Sequence, residues 1–185
     1  MPVRKAIDDI VGEMQQALDR VSPEGPERLV EAVLAADCVY VAGGGRSGLM
    51  ARAFAMRLMH LGLVTYVVGD TTTPAIRSGD LLVSCSASGE TQVTVLVSRV
   101  AQQAGARVFA ITATPSSPMA GLADETIVIA APSKRTKTAT DQSVQYGGSL
   151  FEQALLILLD AVSAEIGRRL GTGPHELDSR HANLE

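Results

Sequence analysis

The chain has 185 residues, 46% of them hydrophobic and 19% charged, with a formal net charge of -4 at pH 7. That is apolar material for one proper core, so a single domain is expected and two full domains would be cramped. Only 16 Lys and Arg stand against 20 Asp and Glu, which argues against a nucleic-acid partner, whose affinity comes largely from clustered basic groups neutralising phosphates.

The N-terminus Met1-Pro2-Val3-Arg4-Lys5 turns acidic at Asp8-Asp9 before any apolar stretch develops, unlike a signal peptide. No run is long and apolar enough to span a bilayer, so no membrane partner is expected. From Ile7 to Val21 apolar residues recur at helical spacing, and Ser22-Pro23-Glu24-Gly25-Pro26 breaks that helix. A second helix through Leu29, Val30, Val33 and Leu34 completes a helical lead over 1–36. Cys38 to Ala42 is a short apolar run ended by glycine, a buried strand.

The sheet core, 37–131, then alternates: a helix from Leu49 to Leu61, strands at Val64 to Val68 and Leu81 to Ser84, a helix from Val93 to Ala104, and strands at Arg107 to Thr112 and Thr126 to Ala130. Strands that are apolar throughout and separated by helices imply a five-stranded parallel sheet covered on both faces, an α/β three-layer αβα sandwich. Ligands of such sheets bind beyond the carboxyl ends of the strands. Cys38 and Cys85 come without CxxC or Cys/His spacing and read as reduced thiols of a cytoplasmic protein, Cys85 as packing.

Pro132 to Gln145 is polar and aperiodic, a mobile loop and candidate lid, with Lys134-Arg135-Thr136-Lys137 as a solvated basic run. A long helix over 149–171 follows. Its first turns, Leu150, Phe151, Ala154, Leu155, Ile157, Leu158 and Leu159, are apolar around nearly the whole circumference, which suggests enclosure by another subunit. A polar tail, 172–185, closes the chain.

Two loops stand out. After the first strand comes Gly43-Gly44-Gly45-Arg46-Ser47-Gly48, where glycines let several N–H groups converge and the next helix adds a field that favours an anion. The same residues fit the dinucleotide fingerprint Gly-x-Gly-x-x-Gly, with Asp70 available for a ribose, but one such match is weak. After the third strand comes Ser84-Cys85-Ser86-Ala87-Ser88-Gly89-Glu90-Thr91, again entering a helix. A dinucleotide needs one phosphate turn; a second, carrying hydroxyls, suits a sugar phosphate. The competing reading is that Ser47 and Thr91 merely cap helices.

The pair of loops resembles the sugar isomerase, or SIS, family, and the resemblance runs from about Leu29 to Leu170. It implies Ser47, Ser86, Ser88 and Thr91 as phosphate ligands, with Ser84 a plausible addition and Gly45, Arg46 and Gly89 shaping the substrate loops. Gly69-Asp70-Thr71-Thr72-Thr73-Pro74-Ala75, Gly148-Ser149-Leu150-Phe151-Glu152-Gln153 and the ending Arg180-His181-Ala182-Asn183-Leu184-Glu185 are similar to the hexuloisomerase branch of that family. Gln145-Tyr146-Gly147-Gly148 departs from it, where Gln-Pro-Met-Gly is the pattern. The phosphoheptose branch uses a zinc site of several His, Asp and Gln residues, whereas the histidines here are His60, His175 and His181.

The resemblance implies a cofactor-free isomerase, without metal, that converts D-arabino-hex-3-ulose 6-phosphate to fructose 6-phosphate. It further implies a homotetramer with active sites at subunit interfaces and, as pathway partner, the 3-hexulose-6-phosphate synthase that condenses formaldehyde with ribulose 5-phosphate. Glu152 is implied as the proton carrier, and His60, delivered by a neighbouring subunit, as a second catalytic residue. Both have ordinary alternatives. Ser149-Leu150-Phe151-Glu152 is also a capping box, and an imidazolium at His60 equally suits a helix C-terminus. The other functional readings are an isomerase acting on arabinose 5-phosphate and a non-catalytic sugar-phosphate sensor.

Overall fold

A computed structural model describes residues 2–132 and 143–184; the expected loop from Pro132 to Gln145 therefore falls mostly outside the described residues. In chain order the elements are α1 (Val3–Asp19), α2 (Glu24–Ala35), β1 (Val39–Gly43), α3 (Gly45–His60), β2 (Thr65–Val67), β3 (Leu81–Cys85), α4 (Gln92–Gln103), β4 (Arg107–Thr112), β5 (Glu125–Val128), α5 (Ser149–Leu170) and α6 (Pro174–Ser179). The five strands form one parallel sheet in the order β2-β1-β3-β4-β5. Helices cover both faces, as expected from apolar strands.

Successive side chains of a strand point to opposite faces, and the two cores sort accordingly. Val39, Val41, Leu81, Val83, Cys85, Phe109 and Ile111 meet the helices α2, α3 and α5 in the larger core. Tyr40, Ala42, Leu82 and Val108 face the other way, onto Ala101 of α4. Register sets the strand ends: Gly43 of β1 pairs with Cys85 of β3, so the loops that follow them leave the sheet side by side.

Several expectations change. The break at Ser22 to Pro26 is shorter than its composition suggests, because Glu24, Gly25 and Pro26 form the first turn of α2, where the missing proline N–H has no intrahelical partner to lose. Most of the apolar girth of α5 is enclosed by α1, α2 and α3 of its own chain, with Phe151, Ala154, Leu155 and Ile166 fully buried, while Ile157 stays 45% exposed. The polar tail contains α6, whose start is marked by Gly173 at the N-cap and Pro174 in the first turn, with Glu176 accepting the Gly173 N–H at 3.0 Å. Cys38 precedes β1 and Cys85 ends β3, the reverse of their expected places. The Cys85 thiol is pushed up to about 12 by burial, in keeping with a packing role.

Candidate active site

β1 lies between β2 and β3, and the chain leaves it for α3 on one face of the sheet but leaves β3 for α4 on the other. Loops that diverge in this way open a crevice at the strands' carboxyl ends. The first loop is built by close backbone approach. A Cβ on Gly48 would stand 2.5 Å from the Gly43 carbonyl oxygen, and one on Gly43 would stand 2.9 Å from the Gly48 nitrogen. Side chains at either position would push the turn open, so the glycines are what let α3 begin directly at Gly45. Its first-turn amides have no intrahelical acceptor and face the crevice with the positive end of the helix dipole.

The second loop is braced from within. Ser86 Oγ accepts the Gly89 N–H at 3.1 Å and lies 3.1 Å from Thr91 Oγ1, while Ser88 Oγ accepts the Glu90 N–H at 3.2 Å. Thr91 occupies the N-cap of α4 but makes no side-chain cap bond, so the capping reading does not describe it. From beneath, Thr112 Oγ1 and Thr114 Oγ1 both donate to the Ala87 carbonyl, at 3.2 and 3.3 Å. Sequence reasoning misses these two supporting hydroxyls; the Thr112-x-Thr114 pair just past β4 is the signal that could have found them. The loops meet face to face: a Cβ on Gly44 would stand 3.1 Å from Thr91 Cγ2.

Between them lies a cavity of about 430 Å³ lined by Gly44, Gly45, Arg46, Ser47, Ser86, Ser88 and Thr91 of the loops and by Tyr146, Ser149 and Glu152 of the segment that enters α5. Ser47 is buried, and among the described residues its hydroxyl has no partner. The residue lines the cavity, so the hydroxyl is available to bond an incoming anion there.

Glu152 sits in the first turn of α5, with its Oε2 3.1 Å from Arg46 Nε. Arg46 Nη1 also donates to Ser149 Oγ at 3.1 Å, and Ser149 Oγ donates to the Tyr146 carbonyl at 2.8 Å. The capping box is not formed: Gly148 is the N-cap of α5 and no side chain caps it. The carboxylate is turned to Arg46 and the cavity instead. Among the described residues lining the cavity, Arg46 and Glu152 are the charged ones.

The remaining expected site residues fall elsewhere. Ser84 is a correction: it belongs to the side-chain set of β3 that faces α4, and its fully buried hydroxyl lies 2.9 Å from Ser98 Oγ and donates to Met119 Sδ at 3.3 Å. Gly89 acts through its backbone at φ +62°, not as part of the lining. Asp70 is paired with Arg52 at 2.7 Å and does not line the cavity, which removes the acidic partner from the dinucleotide reading. His60 ends α3, about 20 Å from Ser47 at the helical rise per residue. Its ring stacks on His181 at a centroid distance of 5.1 Å, and both line a separate cavity of about 810 Å³ with Arg57, Asp160, Arg168 and Asp178. Burial there, with lesser contributions from His181 and Arg57, holds the His60 imidazole below its ordinary pKa. Within one chain, His60 and Glu152 are not brought together.

Comparison with known proteins agrees with this geometry. The SIS domain family matches residues 34–150. The chain is 45% identical to the 3-hexulose-6-phosphate isomerase of Mycobacterium gastri over 96% of this chain and 92% of that one. It is 35% identical to the 3-hexulose-6-phosphate isomerase of Bacillus subtilis over the full length of both. A crystal structure of a hypothetical protein from Methanococcus jannaschii, for which a molecular function of 3-hexulose-6-phosphate isomerase is inferred, superimposes with a TM-score of 0.84 at 32% identity, covering 98% of this chain and 99% of the other. The chain belongs to the SIS domain family, as an isomerase most like its 3-hexulose-6-phosphate isomerases.

Proposed function

We propose that the chain interconverts D-arabino-hex-3-ulose 6-phosphate and D-fructose 6-phosphate in the ribulose monophosphate route of formaldehyde fixation. The observation that carries this reading is that Glu152 and the hydroxyls of Ser47, Ser86, Ser88 and Thr91 open onto one cavity. The phosphate dianion lodges between the two loops, bonded by those hydroxyls and the first-turn amides of α3. The carbon chain then runs toward Glu152. Its carboxylate takes the proton from C2, the 3-keto oxygen gathers the charge of an enediolate, and a proton passes between the two neighbouring oxygens. Glu152 returns its proton to C3, leaving the carbonyl at C2. Neither hydrogen nor electrons are gained or lost, so the chemistry needs no redox partner. Arg46, beside the carboxylate, offsets part of the negative charge that dianion and glutamate bring to one cavity.

The active assembly in this reading is a cytoplasmic homotetramer in which a neighbouring copy brings His60 to the Glu152 cavity, to aid ring opening or proton relay. Exposed apolar side chains support self-association: Val93, Leu96 and Val100 form one stripe on α4, and Val3, Ile7 and Val11 another on α1. The pathway partner is the synthase that supplies the 3-hexulose phosphate. Among the described residues, no helix is long and apolar enough to cross a membrane.

A coupled assay tests the reaction: the 3-hexulose phosphate is supplied and fructose 6-phosphate detected. Turnover is expected with that substrate and not with arabinose 5-phosphate. Folded protein that binds fructose 6-phosphate without forming it would overturn the assignment in favour of a sensor.

A further inference from the structure

Among the described residues, Tyr146 is the one aromatic side chain lining the cavity, and the steps above do not use it. It is 87% exposed. A ring left in water forgoes the burial that normally stabilises an aromatic residue, yet its backbone is held on both sides. Upstream, the Glu13 carboxylate on α1 accepts Ser143 Oγ at 2.7 Å, the Val144 N–H at 2.8 Å and Gln145 Nε2 at 3.2 Å. Downstream, the Tyr146 carbonyl accepts the Ser149 N–H at 3.2 Å and Ser149 Oγ at 2.8 Å, closing a tight turn over Gly147 at φ +63° and Gly148. The ring is thus presented on an anchored turn at the mouth of the cavity, without being packed.

A phosphate grip alone cannot distinguish one phosphorylated sugar from another, because every such ligand brings the same dianion. Discrimination needs a surface that meets the carbon chain. Tyrosine supplies large, rigid contact area at little entropic cost, apolar on its face and polar at its tip. Tyr146 and Glu152 line the cavity from the segment that enters α5, a different stretch of chain from the two loops that hold the phosphate.

We propose that Tyr146 is a specificity-determining residue whose ring closes over the carbon chain beyond the phosphate, with Glu13 the positioning residue that holds it there. The identity of the ligand rests on the isomerase reading above. Once covered by ligand, the ring recovers the burial it lacks in the free protein, so its contribution is specific to ligands that carry a carbon chain.

The experiment titrates wild type, Tyr146→Ala, Tyr146→Phe and Glu13→Ala calorimetrically with fructose 6-phosphate and, separately, with inorganic phosphate. Tyr146→Ala should weaken fructose 6-phosphate about 10-fold and leave inorganic phosphate within about twofold, while Tyr146→Phe binds both as wild type does. Glu13→Ala should reproduce the Tyr146→Ala pattern, and the double variant should be no weaker than Tyr146→Ala alone. Unchanged fructose 6-phosphate affinity in Tyr146→Ala, or equal losses for both ligands, would overturn the inference. Absence of turnover in the wild type would instead defeat the isomerase reading, and the binding ratios are measured without turnover.

Discussion

Arg46 Nε lies 3.1 Å from Glu152 Oε2, and Arg46 Nη1 reaches Ser149 Oγ at the same distance, so one side chain joins the first turn of α3 to the first turn of α5. The Arg46 side chain is half exposed, and a pair of that kind contributes little to stability. Its consequence is placement: the cation of the cavity stands beside the carboxylate of the cavity, where a dianionic substrate would otherwise meet an unscreened negative charge.

Replacing Glu152 with Gln keeps the shape of that side chain and removes its ability to accept a proton from carbon. The turnover number in the coupled assay should fall at least ~100-fold, with calorimetric affinity for fructose 6-phosphate retained within about threefold. Turnover within tenfold of wild type would show that another group moves the proton.

Ser84 of the third strand and Ser86 of the loop that follows it should behave in opposite ways. Ser86→Ala removes a hydroxyl that lines the cavity, and the loss of one hydrogen bond to a charged group, about 1.5–3 kcal/mol, corresponds to a rise in KM of roughly 10-fold or more. Ser84→Ala removes a core hydroxyl bonded to Ser98, so it should cost about 1 kcal/mol of stability in urea unfolding and leave KM alone. A rise in KM for Ser84→Ala would put its hydroxyl back in the phosphate site.

Gly89→Ala tests the brace of the second loop. The added Cβ would stand 2.0 Å from Ser117 Oγ and 2.4 Å from Ser117 Cβ, at a φ of +62° that L residues rarely adopt. We expect a loss of at least ~2 kcal/mol in unfolding free energy together with a raised KM, because the Gly89 N–H orients Ser86 Oγ. A variant as stable as wild type would mean that the loop has a second conformation that accepts the methyl group.

Stability should depend on His60 at mildly acidic pH. Its folded-state pKa lies below the ordinary value, held down by burial and then by the stacked His181 and by Arg57. Above about pH 6.5 the ring is neutral in both folded and unfolded chains. Below it, the unfolded chain takes up a proton that the folded chain resists, so stability falls as pH drops through the unfolded pKa toward the lower folded one. Urea midpoints measured from pH 7.5 to 5.5 should therefore decline less steeply for His60→Gln than for wild type. Identical slopes would show that His60 does not contribute to this decline.

Five strands, their parallel sense and the two loops between strand and helix were legible in the sequence, because apolar runs and glycine or serine turns are local signals. Val39 to Ala42 and Val108 to Ile111 announce burial by composition alone. Which way a strand residue faces is also local in principle, yet the hydroxyl-rich run groups Ser84 with Ser86 although Ser84 sits within the strand, where alternation turns it toward α4. Composition likewise could not say what would surround α5. The same apolar circumference fits a subunit interface or, as here for all but Ile157's side, a bed of three helices from its own chain.

The amino-acid sequence by itself determined that two anion-suited turns follow β1 and β3 and that a glutamate opens the last long helix, since turn chemistry and periodicity act over a few residues. Only the tertiary structure decided that Gly44 and Thr91 face one another, that Glu152 turns to Arg46 rather than capping its own helix, and that His60 stacks on His181. Those outcomes depend on strand order and helix packing, which bring together residues as distant in the chain as Arg46 and Ser149. A hydrogen-bonding group has several local partners to choose from, and which one it takes is settled by what the fold sets beside it.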